Sequence, residues 1–174
     1  MVMLVGCTSN KPLHYQEKDP PEIIKTFDKE VVKKGVGLTA ILGVEGSSVK
    51  LSEGVYLTAS HQKVLFAWRT GDWYEHPSCD IALYKEKGTT FKEEYYFGKI
   101  FVENPITIFR GYTGYSVTPK TTHGKYLIDF FEKNNKCKYS AATNLVVGGM
   151  SGGGVYNMEG KLSGITRGFL TERL

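Results

Sequence analysis

The sequence lacks several features that would place it in a large class of proteins. No apolar run approaches the roughly 18 residues that a membrane-spanning helix needs. The 22 Lys and Arg nearly balance the 18 Asp and Glu, and there is no dense basic run, so charge gives no argument for nucleic-acid binding. No internal repeat or low-complexity segment occurs. The 174 residues suit one domain, or two small barrels that share one core.

Cysteine is also scarce, and the three that occur are too few for a disulfide scaffold. Residues 4–7, Leu-Val-Gly-Cys, resemble the end of a bacterial lipoprotein signal, in which the cysteine becomes the lipidated N-terminus. The resemblance implies a lipid anchor at Cys7, residues 1–7 as a signal remnant, and a place on the periplasmic or extracellular face of the cell envelope. Only six residues precede Cys7, so a complete leader would begin upstream. The alternative is a chance match in a soluble cytoplasmic protein.

The two remaining cysteines, Cys79 and Cys137, form an even pair. In an oxidising compartment such a pair can be bridged, and two separate buried thiols are the alternative.

The N-terminal part of the chain carries the one clear helix signal. Residues 8–18 are polar and are predicted to be a tether, and residues 19–35 are predicted to be helical. Asp19 can cap this helix, Pro20 suits its first turn and Gly35 can close it. Four apolar residues follow the cap at helical spacing, and we expect them to pack on the body of the domain: Ile23, Ile24, Phe27 and Val31.

From residue 36 onward, short runs of aliphatic, aromatic and Thr residues alternate with turn residues. Such spacing predicts an all-β sandwich or barrels rather than βαβ units. The segment Tyr126–Phe131 fits a strand or a helix equally well. The predicted strands are Gly37–Val44, Val49–Ser52, Val55–Ala59, Val64–Trp68, Ile81–Lys85, Tyr95–Val102, Ile106–Phe109, Leu145–Val147, Gly154–Tyr156 and Leu162–Thr166.

Five glycines surround Ser151 in the segment Gly148–Gly154. A core strand would not tolerate that density of glycine, whereas a sharp turn that points backbone N–H groups at a reacting oxygen would need it. A merely flexible loop is the alternative. A phosphate loop would need Lys-Ser or Lys-Thr after the glycines, and the dinucleotide-binding spacing is absent. The nucleophile elbow of α/β-hydrolases requires a later histidine, and none follows Ser151.

Two upstream segments supply the partners that a nucleophilic serine needs. A β-rich run from Val55 ends at His61, where a strand end can hold a general base rigidly. Asp80 precedes an apolar run and can orient that imidazole, with Asp72 and Glu75 as alternative acids. The spacing of His76 and Cys79 suits a metal, but a second pair of ligands is missing, so we predict neither a metal nor an organic cofactor.

The order His, Asp, Ser and three motifs resemble the trypsin and chymotrypsin superfamily, especially its compact bacterial and viral-type members. The motifs are Leu-Thr-Ala-Ser-His at 57–61, Asp-Ile-Ala-Leu at 80–83 and Gly-Met-Ser-Gly-Gly at 149–153. The resemblance implies two antiparallel Greek-key β-barrels, about 36–100 and about 104–174, within a protease domain at 36–174 that follows a short N-terminal helix. It also implies a serine endopeptidase that acts on protein or peptide substrates through an acyl-enzyme.

The resemblance further implies a role for each residue of the motifs. Ser151 would attack the scissile carbonyl, His61 would take its proton, and Asp80 would orient His61. The N–H groups of Gly149 and Ser151 would bind the oxyanion. Substrate-binding positions would include Leu145, Thr166, Arg167 and Gly168.

Three features modify this picture. Met150 stands where digestive members have Asp, so activation through an ion pair with a new N-terminus is not expected. Gly154 stands where Pro is usual. Arg167 could favour an acidic residue on the acyl side of the cleaved bond, or it could face solvent. The competing interpretation of the whole chain is a catalytically inactive binding module with the protease fold, on the cell surface.

Overall fold

A computed structural model describes most of the chain from residue 31 onward. The described residues are Glu22, Phe27, Lys29, 31–35, 45–67, 69–90, 97–100, 104–114, 116–131 and 136–168. Cys7, the predicted tether at 8–18, the predicted strand Gly37–Val44 and most of Tyr95–Val102 lie outside them.

The first half of the described chain forms a five-stranded antiparallel sheet in the order β1-β2-β3-β5-β4. A 3-10 helix, Ser60–Phe66, separates β3 from β4. Gly54, with a φ of +71°, makes the tight turn between β2 and β3. The strands are β1 Val31–Gly35, β2 Glu45–Ser52, β3 Val55–Thr58, β4 Gly71–Glu75 and β5 Ala82–Glu86.

The second half forms another five-stranded antiparallel sheet, in the order β10-β9-β6-β7-β8. Since β9 returns to lie beside β6, the strands β6 to β9 have the Greek-key order. The prediction of an all-β fold is confirmed. The strands are β6 Ile106–Tyr112, β7 Pro119–Phe131, β8 Lys138–Ala142, β9 Gly154–Tyr156 and β10 Leu162–Ile165.

The hydrophobic core joins the two sheets. Its buried members come from β2 and β3 of the first sheet and from β6, β9 and β10 of the second, and Phe27 packs edge-on against Tyr156 with ring centroids 4.9 Å apart. Adjacent strand residues face opposite sides of a sheet, so Tyr56, next to the core residue Val55, lies on the other face. There it packs with Tyr84 and with Phe66 of the 3-10 helix, which fixes that helix against the first sheet.

Three secondary-structure predictions are wrong. The predicted strand Val64–Trp68 overlaps the 3-10 helix, because Leu65 and Phe66 are both buried against the outer face of the first sheet. The predicted helix 19–35 is wrong at its C-terminal end, because Val31–Gly35 pair with β2 as strand β1. Leu145–Val147 is not a strand but part of the loop that leads to Ser151.

Two alternatives that the sequence left open are decided by the structure. Tyr126–Phe131 is part of strand β7. Cys79 and Cys137 form a disulfide that ties the β4–β5 loop of the first sheet to the segment before β8 of the second. Among the residues described, no helix is long and apolar enough to cross a membrane.

Candidate active site

Strand pairing in the first sheet brings His61 and Asp80 together. Thr58, the last residue of β3, pairs with Ala82, the first residue of β5, so the segments that flank this end of the pair are neighbours. His61 lies in the 3-10 helix after β3, and Asp80 lies in the loop before β5. The Nδ1 atom of His61 is 2.6 Å from Oδ2 of Asp80.

Ser151 comes from the other sheet, at the turn that precedes β9. Its Oγ lies 2.9 Å from Nε2 of His61. A carboxylate only accepts hydrogen bonds, so Nδ1 of His61 carries the proton that faces Asp80 and, in the neutral ring, Nε2 is left as the acceptor for the serine hydroxyl. The three side chains therefore form one hydrogen-bonded chain from hydroxyl to imidazole to carboxylate.

Asp80 is held by more donors than His61 alone. Its Oδ1 accepts the Ser60 hydroxyl at 2.7 Å and the backbone N–H of His61 at 2.9 Å. Burial of the carboxylate is the largest single influence and by itself raises the pKa of Asp80. The hydrogen bonds from the His61 ring, from Ser60 and from the His61 amide together outweigh burial, and they hold the pKa well below its ordinary value.

The backbone before Ser151 presents two N–H groups with fixed directions. The carbonyl that precedes Gly149 accepts from Gly114, and the carbonyl that precedes Ser151 accepts from Gly153, both at 2.9 Å. Because C=O and N–H of a trans peptide point in opposite directions, the N–H groups of Gly149 and Ser151 point away from these partners. Within the described residues neither N–H has an acceptor. Gly149 has a φ of +91°, a conformation that favours glycine.

Of the four predicted substrate-binding residues, Thr166 and Arg167 contact the segment around Ser151. Thr166 is buried, and its backbone bonds to Gly152 and Gly153. The carbonyl of Leu145 accepts the Thr122 hydroxyl at 3.0 Å. An added Cβ at Gly168 would meet nothing within 4 Å, so this position is open.

Arg167 contacts two members of the hydrogen-bonded chain. Its Nε lies 3.4 Å from Oδ2 of Asp80, and its guanidinium stacks over Tyr139, 4.7 Å from the ring centroid. Its carbonyl lies 2.9 Å from Oγ of Ser151. The single hydroxyl proton of Ser151 therefore has two competing acceptors, Nε2 of His61 and this carbonyl.

The alternative acids lie elsewhere. Glu75 accepts from Lys63 and from the indole of Trp73, and Asp72 pairs with Lys85 in the sheet. His76 accepts the backbone N–H groups of Ser78 and Cys79 through Nδ1, so that ring nitrogen is engaged. The bonded sulfur of Cys79 is not a free thiolate.

Sequence reasoning did not assign a role to Ser60, Gln62 or Tyr139. Ser60 carried a signal, because it stands in the motif Leu-Thr-Ala-Ser-His where the superfamily has a second Ala. Gln62 and Tyr139 carried none, since their partners Ser151 and Arg167 are distant in the sequence.

Comparisons with known proteins agree with this fold. The active form of the Rv3671c protease from M. tuberculosis has a TM-score of 0.60 and 14% identity, over 95% of this chain and 84% of that one. Deg5 has a TM-score of 0.62 and 15% identity, over 83% and 82%. The HtrA-type protease AlgW, crystallised with a tripeptide, has a TM-score of 0.53 and 20% identity, over 70% and 45%.

The chain therefore has the chymotrypsin-like all-β fold found in HtrA- and Deg-type protease domains. Identities this low show the fold alone. No protein-family model matches the chain, and no curated protein matches it.

We predict that alanine at Gly152 destabilises the fold far more than alanine at Gly88. Both glycines have a positive φ, +80° and +84°, so both variants carry a similar backbone strain of about 1 kcal/mol. A Cβ at Gly88 meets open space, whereas one at Gly152 would overlap the Ser47 carbonyl and the Thr58 hydroxyl. Urea unfolding should show a loss of about 3 kcal/mol or more for Gly152→Ala. Equal losses in the two variants would contradict the crowding.

A second prediction concerns pH. The pKa of Asp80 is lower in the folded protein than in the unfolded chain, so its carboxylate stabilises the fold above about pH 4 and this contribution is lost as pH falls. The difference in unfolding free energy between the wild type and Asp80→Asn should shrink from pH 5 to pH 2. Ser60→Ala removes one donor to Asp80, so its unfolding free energy should depend on pH less steeply than that of the wild type and more steeply than that of Asp80→Asn. A difference that stays constant over this range would refute the prediction.

Proposed function

We propose that the protein is a serine endopeptidase that hydrolyses peptide bonds through an acyl-enzyme. The observation that carries the proposal is the continuous hydrogen-bonded chain from Ser151 through His61 to Asp80, next to two N–H groups without acceptors. We assign the catalytic unit to residues 31–174, because strand β1 belongs to the first sheet, with a first barrel that ends at about residue 100 and a second at about 104–174.

In the first step, Nε2 of His61 takes the proton of Ser151 as Oγ attacks the scissile carbonyl carbon. The bond between Oγ and carbon forms, and the carbonyl electron pair moves onto oxygen. The N–H groups of Gly149 and Ser151 stabilise this oxyanion, and one such donor is typically worth about 3 kcal/mol.

In the second step, the imidazolium of His61 gives its proton to the leaving amine, and the carbon–nitrogen bond breaks. Water then attacks the acyl-enzyme by the same route, with His61 again the base, and releases the acid and free Ser151. Asp80 stays ionised throughout, which its lowered pKa favours, and it holds the imidazole ring in orientation.

The substrate class follows from the same chemistry. A protein or peptide substrate supplies the carbonyl, and the AlgW neighbour was crystallised with a tripeptide. We assign substrate binding to the region of Leu145, Thr166, Arg167 and Gly168. The charge of Arg167 is already engaged by Asp80, which argues against a primary role in selecting an acidic residue.

We predict that Ser151→Ala abolishes two activities while the fold persists. Labelling by a fluorophosphonate should disappear, because the reagent bonds covalently to Oγ. Hydrolysis of fluorescent casein should fall by about 10⁴-fold or more. The free energy of unfolding in urea should change by less than about 1 kcal/mol, since Ser151 is only partly buried. A wild type that is not labelled would instead favour the inactive binding module, and labelling that survives in the variant would exclude Ser151 as nucleophile.

We also propose that Cys7 carries a lipid and anchors the protein to the cell envelope. The disulfide between Cys79 and Cys137 supports an oxidising compartment. When the protein is expressed in bacteria from its own gene, it should partition into the detergent phase of Triton X-114, and Cys7→Ser should move it to the aqueous phase. Ser9→Ala, which keeps the cysteine, is the control. A wild type found only in the aqueous phase would rule out the anchor.

A further inference from the structure

The residue that follows His61 is buried against the nucleophile's own backbone. Gln62 is 3% exposed, and its Nε2 lies 2.6 Å from the carbonyl oxygen of Ser151. A carbonyl only accepts hydrogen bonds, so the NH₂ group of Gln62 must face it, and this fixes the orientation of the amide. The oxygen of the amide faces the Thr58 hydroxyl at 2.9 Å.

The carbonyl of Ser151 is held from two sides. It accepts Nε2 of Gln62 and the backbone N–H of Ser47, the latter at 2.7 Å. The other end of the same peptide unit, the N–H of Gly152, donates to Thr166 at 2.6 Å. With both ends bonded, the peptide unit that follows the nucleophile cannot rotate without breaking at least one hydrogen bond.

Glycines on two sides leave room for the side-chain amide of Gln62. A Cβ at Gly46 would overlap the side-chain amide of Gln62, and a Cβ at Gly152 would lie 2.9 Å from its Oε1. A buried primary amide is costly unless its groups are paired. The residues around Gln62 therefore accommodate a hydrogen-bonded amide, and not an apolar side chain.

We propose that Gln62 is a positioning residue that couples the base to the nucleophile, an inference that rests on the proposed serine peptidase activity. Gln62 is covalently joined to His61 and hydrogen-bonded to Ser151, residues that come from different sheets. It sets the distance between Nε2 of His61 and Oγ of Ser151 before any substrate binds. Gln62 does not contact the reacting atoms, so its effect is on the rate of the chemical step and not on binding.

The test compares Gln62→Met with the wild type by the kinetics of fluorophosphonate labelling. Methionine has a similar length but no donor, so the Ser151 carbonyl keeps only one hydrogen bond. The maximal labelling rate should fall by about 10- to 100-fold, because the peptide unit after the nucleophile is held by one hydrogen bond fewer, while the half-saturating concentration stays within about twofold.

The matched control is Asn157→Ala. Asn157 is also a buried amide that bonds to backbone groups, but it lies in the turn between β9 and β10, at the end of β9 away from Ser151. This variant should lower the midpoint of urea unfolding and leave the labelling rate of the folded protein within about twofold. If it slowed labelling as much as Gln62→Met, general destabilisation would explain both and the role of Gln62 would be overturned.

Gln62→Glu tests the hydrogen bond itself and carries the test alone where Gln62→Met does not fold. A protonated carboxyl group can donate to the Ser151 carbonyl, whereas a carboxylate cannot, and burial favours the protonated form. Recovery of labelling relative to the wild type as pH falls from 9 to 6 supports the role, whereas a rate near the wild type at every pH overturns it. A rate reduced equally at every pH also overturns it.

The outcomes separate this inference from the proposed function. A wild type that fluorophosphonate does not label overturns both. A wild type that is labelled, with Gln62→Met labelled just as fast, overturns only the role of Gln62.

Discussion

The hydrogen bond from the N–H of Ser47 to the carbonyl of Ser151 is the contact on which the candidate site depends. It joins strand β2 of the first sheet to the turn of the second sheet that carries the proposed nucleophile. The side chain of Ser47, itself fully buried, donates to the carbonyl of Gly149 and accepts the N–H of Tyr112. Apolar packing between sheets is non-directional, whereas these bonds have narrow limits of distance and angle, so they determine where one sheet lies against the other.

The parts of the site that the sequence predicted are those where chemistry restricts the residue type locally. A turn that aims N–H groups at one point requires glycine, and a base and an acid must follow or precede rigid strands, so Ser151, His61 and Asp80 could be found from short motifs. Gln62 could not, because its partner lies 89 residues away and a lone glutamine has many uses. The strand β1 was missed for another reason. Its residues fit a helical pattern, and pairing with β2 overrides that local preference.

The groups around Asp80 fix the orientation of its carboxylate. Two donors fix Oδ1, and the His61 ring and Arg167 share Oδ2. The orientation of the imidazole is thus held through a carboxylate that several hydrogen bonds keep in place.

The two sheets are also connected near Asp80, as they are near Ser151. Cys79, which precedes Asp80, is disulfide-bonded to Cys137. Tyr139 lies two residues after Cys137 and stacks on Arg167, and Arg167 in turn contacts Asp80. These contacts close a ring that passes through both sheets. Since Ser47 and Gln62 cross-link the opposite side, the side chains of Ser151, His61 and Asp80 lie between two independent connections. Neither sheet can order them alone, so the hydrogen-bonded chain should form only when both halves of the protein have folded and docked.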